Sequence, residues 1–539
     1  MPELLHPGVY VQELPSAVRP IQGVSTSTAA FIGVADKGPI PRVQGASRTQ
    51  PVLVTSFTDY TRQFGGFRRD SFLTYAVRSF YDNGGSRLYI VRVAPANAAV
   101  AAVPASNPPA ATDLPIQALN AGVWGNNLWV IIADSSDGKA ANFKLIVLQG
   151  TTSDEAIRTV VETYDNVTIH ANPADPIAPN YIRTLVNSRS EYITITGEIA
   201  VRPVNTAAPL KDHALRLAGG SDGTAALDYI GQADQGTGLH ALDKITDVSL
   251  IAIPGQGAPA TVNAGMEYCK NSRALQDAFF IGDVGLIADV NAARLDSAQP
   301  DAAKISDARD FATSGFGGTA LDTAAGDYGA IYYPWVWSAD PIGTGRNPRI
   351  LLPPSGFMAG IYARTDNSRG VFKAPAGTEA GVAGALAVAT TVSDVEQDIL
   401  NPNQVNVLRT VPGSGIVSWG ARTIGSDASW RYISVRRTAI FMRVSIYNGI
   451  QWAVFEPNDE PLWASLRLNV RAFMLTQFRA GAFQGSKPDD AFFVQCDSST
   501  TTQQDIDLGR VNILVGFAPL KPAEFVILKL SQKVFQSAA

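Results

Sequence analysis

The 539-residue chain reads as a multidomain α/β protein with a mostly-β insertion, and three observations lead there. Strand-helix-strand runs occur twice, around residues 71–93 and 248–284. Between them lies a non-periodic stretch followed by short β-like runs. Both ends carry strand-like segments with no evident partner in the sequence around them. Length favours about three or four folding units. A hydrophobic share of 46% and a charged share of 17% are those of a globular chain.

In the first run, Phe72, Tyr75, Ala76, Ser79 and Phe80 recur at helical spacing, predicting a helix over residues 71–81. Asn83-Gly84-Gly85 stops it by supplying positive φ, and residues 87–93 alternate as a strand. Residues 94–112 are rich in Ala, Pro and Asn and read as a linker. Strands are expected at 129–132, 143–148 and 192–195, so residues 96–210 form an inserted, mostly-β domain. The α/β unit then resumes with a buried strand at 248–254, a helix at 260–275 and a strand at 279–284, by default a right-handed crossover. Residues 377–410 mix an Ala-rich helix-like run with a polar Asn-Pro-Asn turn. Leu462, Leu466, Val470, Phe473 and Met474 define an amphipathic helix, with Trp463 at the edge of its apolar face and Arg467 and Arg471 elsewhere. Asn458 or Asp459 is placed to cap it. The resulting division is an arm at 1–24, an α/β domain at 25–95 and 211–349, the insertion at 96–210, and a C-terminal domain at 350–539.

At the start, Val9, Tyr10 and Val11 form a strand-like run between Pro7-Gly8 and Pro15. At the other end, Ile513, Val515 and Phe517 alternate within one strand, and Phe525, Ile527 and Leu528 lie in a second beyond the Pro519–Pro522 turn. Unpaired strands invite pairing with another chain. Such ends fit the addition of strands to a neighbour's sheet.

The net charge of −5, without a basic stripe, argues against a nucleic-acid partner. No apolar run reaches the length of a membrane span, and the first residues lack the features of a secretory signal. Assembly in the cytoplasm is therefore expected. Cys269 and Cys496 provide neither a disulfide framework nor metal-type spacing. His6, His170, His213 and His240 stand in no triad context. No phosphate-cradling G-x-x-x-x-G-K-[ST] loop is present, and neither cofactor nor catalytic residue is assigned. Gly255-Gln256-Gly257-Ala258-Pro259-Ala260 matches a dinucleotide fingerprint, with Asp277 at a suitable distance. This keeps a stand-alone nucleotide-binding α/β enzyme as an alternative. Arg436 and Arg437, read as following a strand, are candidates for charge contacts with a neighbouring subunit, or for an internal salt bridge on one side.

The opening Pro7-Gly8-Val9-Tyr10-Val11-Gln12-Glu13, followed by Arg19-Pro20-Ile21-Gln22-Gly23-Val24 and Ala29-Ala30-Phe31-Ile32-Gly33, resembles that of contractile tail sheath proteins. More of the pattern follows in order along the chain. It includes Val123-Trp124-Gly125-Asn126-Asn127, Gly219-Gly220-Ser221-Asp222-Gly223, Tyr332-Tyr333-Pro334-Trp335 and Pro353-Pro354-Ser355-Gly356-Phe357. Trp419-Gly420-Ala421-Arg422-Thr423, Tyr432-Ile433-Ser434-Val435-Arg436-Arg437, Phe455-Glu456-Pro457-Asn458-Asp459 and Pro522-Ala523-Glu524-Phe525 complete it. Residues 96–210 carry least of it. The resemblance implies a subtilisin-like α/β middle domain and an α+β core domain built from N- and C-terminal parts. It also implies a helical homopolymer around an inner tube protein, with baseplate and tail-terminator or cap partners, in a phage tail or injection particle. A static coat subunit would share the arms but lack two helical states.

Overall fold

The computed structural model describes residues 19–39, 51–104, 115–150, 158–169, 178–199, 201–207, 213–285, 305–314 and 320–527. Strand β1 (Ala29–Gly33) is buried along its whole length. It is followed by β2 (Val52–Val54), α1 (Phe57–Phe64), α2 (Leu73–Asp82) and β3 (Leu88–Arg92). Ser56 starts α1 by accepting the Asp59 N–H. Asn83 closes α2, and Gly84 follows at φ 100°, a conformation that glycine adopts without steric cost.

The chain then leaves for a separate β-rich body. Strand β4 (Ile116–Ala118) pairs with β8 (Ile193–Ile195). Strands β5 (Leu128–Asp134), β6 (Phe143–Gln149), β7 (Thr159–Val167) and β9 (Leu215–Arg216) form a four-stranded antiparallel sheet. Helix α3 (Ile182–Arg189) packs its Ile182 and Val186 into a core shared with Leu128, Val130, Leu145 and Val147.

On returning, the chain builds β10 (Leu250–Ala252), α4 (Pro259–Glu267), β11 (Phe279–Asp283), α5 (Ile305–Thr313) and β12 (Gly329–Tyr333). Strands β13 (Val336–Ala339), β14 (Arg349–Leu352) and β15 (Ala387–Val388) make a small antiparallel sheet. Helix α6 (Pro354–Arg369) lies between β14 and β15 in sequence; α7 (Asp394–Leu400), β16 (Val405–Val411) and β17 (Gly415–Ser418) follow β15.

The main sheet runs β17-β16-β12-β11-β10-β1-β3-β2. The six inner strands are parallel and the two outer ones antiparallel. Alternation sends Ala29 and Phe31 into one core, with Phe80, Phe279 and Tyr362, and Ala30 and Ile32 into the other, with Ile251, Phe280 and Ile331. Burial on both faces explains why these strands read as apolar runs rather than as alternation.

The α/β unit does not end at residue 349. Strands β16 and β17 complete its sheet, so the division at 350 cuts through one domain. The Ala-rich stretch at 377–393 is not helical either; it supplies turns and β15, and the helix begins only at the Ser393 capping box of α7.

The C-terminal part contains α8 (Ile433–Gly449), α9 (Glu460–Arg479), α10 (Pro488–Ala491), β18 (Phe492–Gln495), α11 (Gln503–Asp507) and β19 (Leu514–Phe517). Asp459 caps α9 by accepting the Leu462 N–H, and Leu462, Trp463, Leu466, Val470, Phe473 and Met474 are buried as the spacing predicts.

Helix α6 packs on α2 at close range through small residues. A Cβ at Gly356 would stand 2.7 Å from Ala76 Cα and Cβ, and one at Gly360 2.5 Å from the Phe80 carbonyl oxygen. Gly356→Val is therefore expected to cost about 1–3 kcal/mol through overpacking. Its unfolding midpoint in a fluorescence-monitored urea titration should fall; an unchanged midpoint would show that the α2–α6 contact yields freely.

Candidate assembly surfaces

The N-terminal segment reaches β1 by crossing the C-terminal helices. The Arg19 N–H is donated to Asn469 Oδ1 on α9 at 2.8 Å, and the Val24 N–H to Ser445 Oγ on α8 at 3.1 Å. The Arg19 guanidinium lies 4.5 Å from the Trp452 ring centroid. Ile21 joins the core of Met442, Val470 and Phe473. Residues 19–24 are thus held against α8 and α9. Val9, Tyr10 and Val11 lie outside the described residues, as does Leu528.

Against the same core lies the β18–β19 ribbon, in the register Phe492↔Phe517, Val494↔Val515 and Gln495↔Leu514. Val515 and Phe517 are half-buried against this core, and Ile513 packs near Leu462, Trp463 and Cys496. Phe493 and Leu514 are about half exposed. Among the described residues the ribbon has two strands only, leaving one open edge on each. A lone two-stranded ribbon is marginal in water, and α9 supports this one on one face. Phe525 and Ile527 lie beyond it, largely exposed.

Arg436 and Arg437 do not follow a strand. Both lie in the first turns of α8 and are buried, with their charges engaged inside the chain. Arg437 donates to both carboxylate oxygens of Asp366 on α6, at 2.9 and 2.6 Å, and to the Thr26 carbonyl at 2.8 Å. Thr26 Oγ1 donates to the same carboxylate at 2.7 Å. Arg436 pairs with Asp327, which Lys270 also contacts at 3.1 Å, and stacks over Trp430 at 3.8 Å. Burial pulls the Arg436 guanidinium below its ordinary range. Further along α8, Arg443 donates to the Tyr328 hydroxyl at 2.7 Å and to Gln276. The α8 arginines therefore bind the C-terminal part to the α/β domain. The acids that pair with Arg437 and Arg436 lie 71 and 109 residues upstream in sequence, beyond the reach of any local signal.

The Gly255 turn is built as packing. The Gly255 N–H, which a phosphate would need, is donated to the buried Asp283 carboxylate at 3.1 Å. A Cβ at Gly257 would meet Gly285 Cα at 2.1 Å, so the two backbones touch. Asp277, the expected ribose ligand, is buried against Arg273, which donates Nη2 to it at 2.9 Å. These contacts overturn the dinucleotide reading. His240 faces Asp243 at 3.2 Å and the Tyr268 ring, and His213 is exposed. Among the described residues no His, Cys, Asp and Glu cluster could hold a metal, and no helix is long and apolar enough to cross a membrane.

Asp283 itself, at the end of β11, also accepts the Ser355 N–H and hydroxyl, both at 2.7 Å. It thereby caps α6, whose own N-cap is Pro353. Burial pushes its pKa up to about 6, against the hydrogen bonds from Gly255 and Ser355 that lower it.

Two family models match. The phage tail sheath protein central domain covers residues 226–424, and the phage tail sheath C-terminal domain residues 425–533. Together they span more than half of the sequence, and the chain belongs to the phage tail sheath family. It is 26% identical over 174 residues to a prophage major tail sheath protein of Pseudomonas aeruginosa (32% of this chain, 44% of that one). It is 24% identical over 182 residues to the tail sheath protein of Enterobacteria phage T4 (33% and 26%). The matched regions thus span less than half of these relatives. The fold resembles the PVC sheath of an extracellular contractile injection system in its contracted state, with TM-score 0.53, 22% identity and 99% of both chains covered. A sheath tail protein of Listeria innocua gives TM-score 0.58 at 12% identity, over 93% of this chain and 96% of that one.

Asp366→Asn leaves the buried Arg437 without a counter-charge and should cost about 3–5 kcal/mol. Urea titration measures this; a loss under about 1 kcal/mol would show that the pair does not hold α8. For Asp283 the folded pKa lies above the ordinary 3.8. The folded state therefore binds the proton more tightly, and the stabilisation is present at low pH and lost as pH rises through about 6. The thermal midpoint should show this loss between about pH 4 and 6, and Asp283→Asn should flatten that part of the profile.

Proposed function

We propose that the chain is the structural subunit of a contractile sheath. Many copies polymerise helically around an inner tube, on a baseplate and below a terminator or cap. The sleeve then shortens and widens to drive the tube through a target envelope. The observation that carries this reading is the open-edged β18–β19 ribbon, beside which the N-terminal segment also runs. Strands donated by neighbours would complete a shared sheet in this α+β core. Each backbone hydrogen bond of such a ladder contributes about 1 kcal/mol net, whatever the side chains. A ladder of this kind stays intact while the bodies it links rotate.

The subtilisin-like α/β domain and the β-rich body would face outward and repack on contraction. No fuel is required if the extended state is metastable, because a few kcal/mol per subunit adds up over a coupled assembly. On this reading assembly takes place in the cytoplasm of a bacterium or phage-infected host, and the product is a phage tail or an injection particle.

Negative-stain electron microscopy of the chain, alone and co-expressed with its tube and baseplate genes, tests the proposal. Hollow ribbed cylinders in a long narrow and a short wide form are expected. Cylinders of one fixed form would favour a static coat, and monodisperse particles under every condition would remove the sheath reading. Deleting residues 1–15 should leave the fold intact, by circular dichroism, and abolish the cylinders.

A further inference from the structure

Beyond Pro519 the chain runs along its own α/β domain. Residues 520–525 form one wall of a groove of about 690 Å³, with Phe372, Gln397, Asn401 and Trp419 among the residues that complete it. Residues 520–527 form no strand, and Phe525, Val526 and Ile527 are 75%, 89% and 79% exposed. Residues 525–527 are therefore held neither by a backbone ladder nor by apolar burial. One polar clamp grips this part of the arm. Arg422 donates Nε and Nη2 to the two carboxylate oxygens of Glu524, at 2.7 and 2.6 Å, and the Tyr432 hydroxyl reaches the same group at 3.3 Å. The receiving side is preformed. Arg422 Nη1 is fixed on the Asn401 carbonyl at 3.0 Å, and its backbone N–H on the buried Asn406 at 2.7 Å.

A prepared cationic seat thus faces a segment that exposes apolar, β-branched residues suited to a sheet. The paired side chains are only 12% and 19% exposed, but they form one contact, against the several backbone hydrogen bonds of a completed strand ladder. We infer that this groove is the docking site of the chain's own C-terminal arm in the unassembled subunit. The Arg422–Glu524 pair is the latch, and the arm leaves it when it pairs with a neighbour. The inference rests on the sheath reading for the arm's destination, but not for the latch itself. Its consequence is that free subunits keep the arm out of premature strand exchange.

The test places a bimane fluorophore at Phe525→Cys in the full chain. Native Cys269 and Cys496 are buried, which favours labelling at the new site. Trp419 lines the same groove and quenches the dye while the arm is seated. Glu524→Gln should at least double the emission and shorten the lag of polymerisation followed by light scattering. The exchanged pair Arg422→Glu with Glu524→Arg should restore quenching, which separates lost folding from a lost latch. Equal emission with and without Glu524→Gln overturns the proposal, as does emission unaffected by Trp419→Phe. Unlabelled wild-type chain added to a labelled Trp419→Phe chain must leave emission unchanged. Renewed quenching would mean that the arm sits in a second copy, and also overturns the proposal. If the wild-type chain forms no polymer at all, the sheath reading fails, while the quenching measurements still decide the latch.

Discussion

The attachment of α8 to the rest of the molecule depends on a buried carboxylate, Asp366, and the arginine it neutralises. Through Arg437 and Thr26 it joins three segments: the linker into β1, helix α6, and the first turns of α8. The linker leads into the third-from-edge strand of the main sheet, α6 packs directly on that sheet and on α2, and α8 carries the domain on which the β18–β19 ribbon rests. Removing either charge would leave the other desolvated and unpaired. The geometry is therefore far more sensitive to losing one partner than a pair of apolar residues would be.

On the proposed function, that sensitivity suits a part that keeps one geometry while others move. Apolar interfaces tolerate sliding, because dispersion contacts are numerous and non-directional. A bidentate arginine–carboxylate pair is directional and does not. The α8 interface adds a single-point ion pair between Arg436 and Asp327, with Trp430 and Tyr328 covering the guanidinium. The terminal arms are held differently. The N-terminal segment is fixed by single hydrogen bonds, one cation–π contact and Ile21, and the C-terminal one by a single largely covered ion pair. Many contacts inside and few at the ends is the distribution that the proposed function expects, with a body that persists and ends that change partner.

The glycines around Gly255 show how a motif can mislead. A tight strand-to-helix turn needs positive φ and close backbone approach whether or not a phosphate is bound. Here the approach is to Gly285, and the free N–H is taken by Asp283. The sequence pattern was real, but its chemical content depended on a carboxylate 28 residues away.

The sequence by itself determined the local elements. Helices α2 and α9, the inner strands β3, β10 and β11, and the Asp459 cap follow from local residue pattern and capping chemistry carried by neighbouring residues. The ordered run of family motifs likewise lay in the chain. Tertiary structure alone decided the rest. Strands β16 and β17 joined the main sheet because β12 offered an edge, which no residue near 405 records. Helix α6 had no amphipathic stripe to detect, since its first ten residues are buried all round. Arg436 and Arg437 found acids 109 and 71 residues away, on a helix and not after a strand, because ion-pair choice depends on which distant surfaces are brought together. Local sequence sets what each segment can form, and only packing settles which segment meets which.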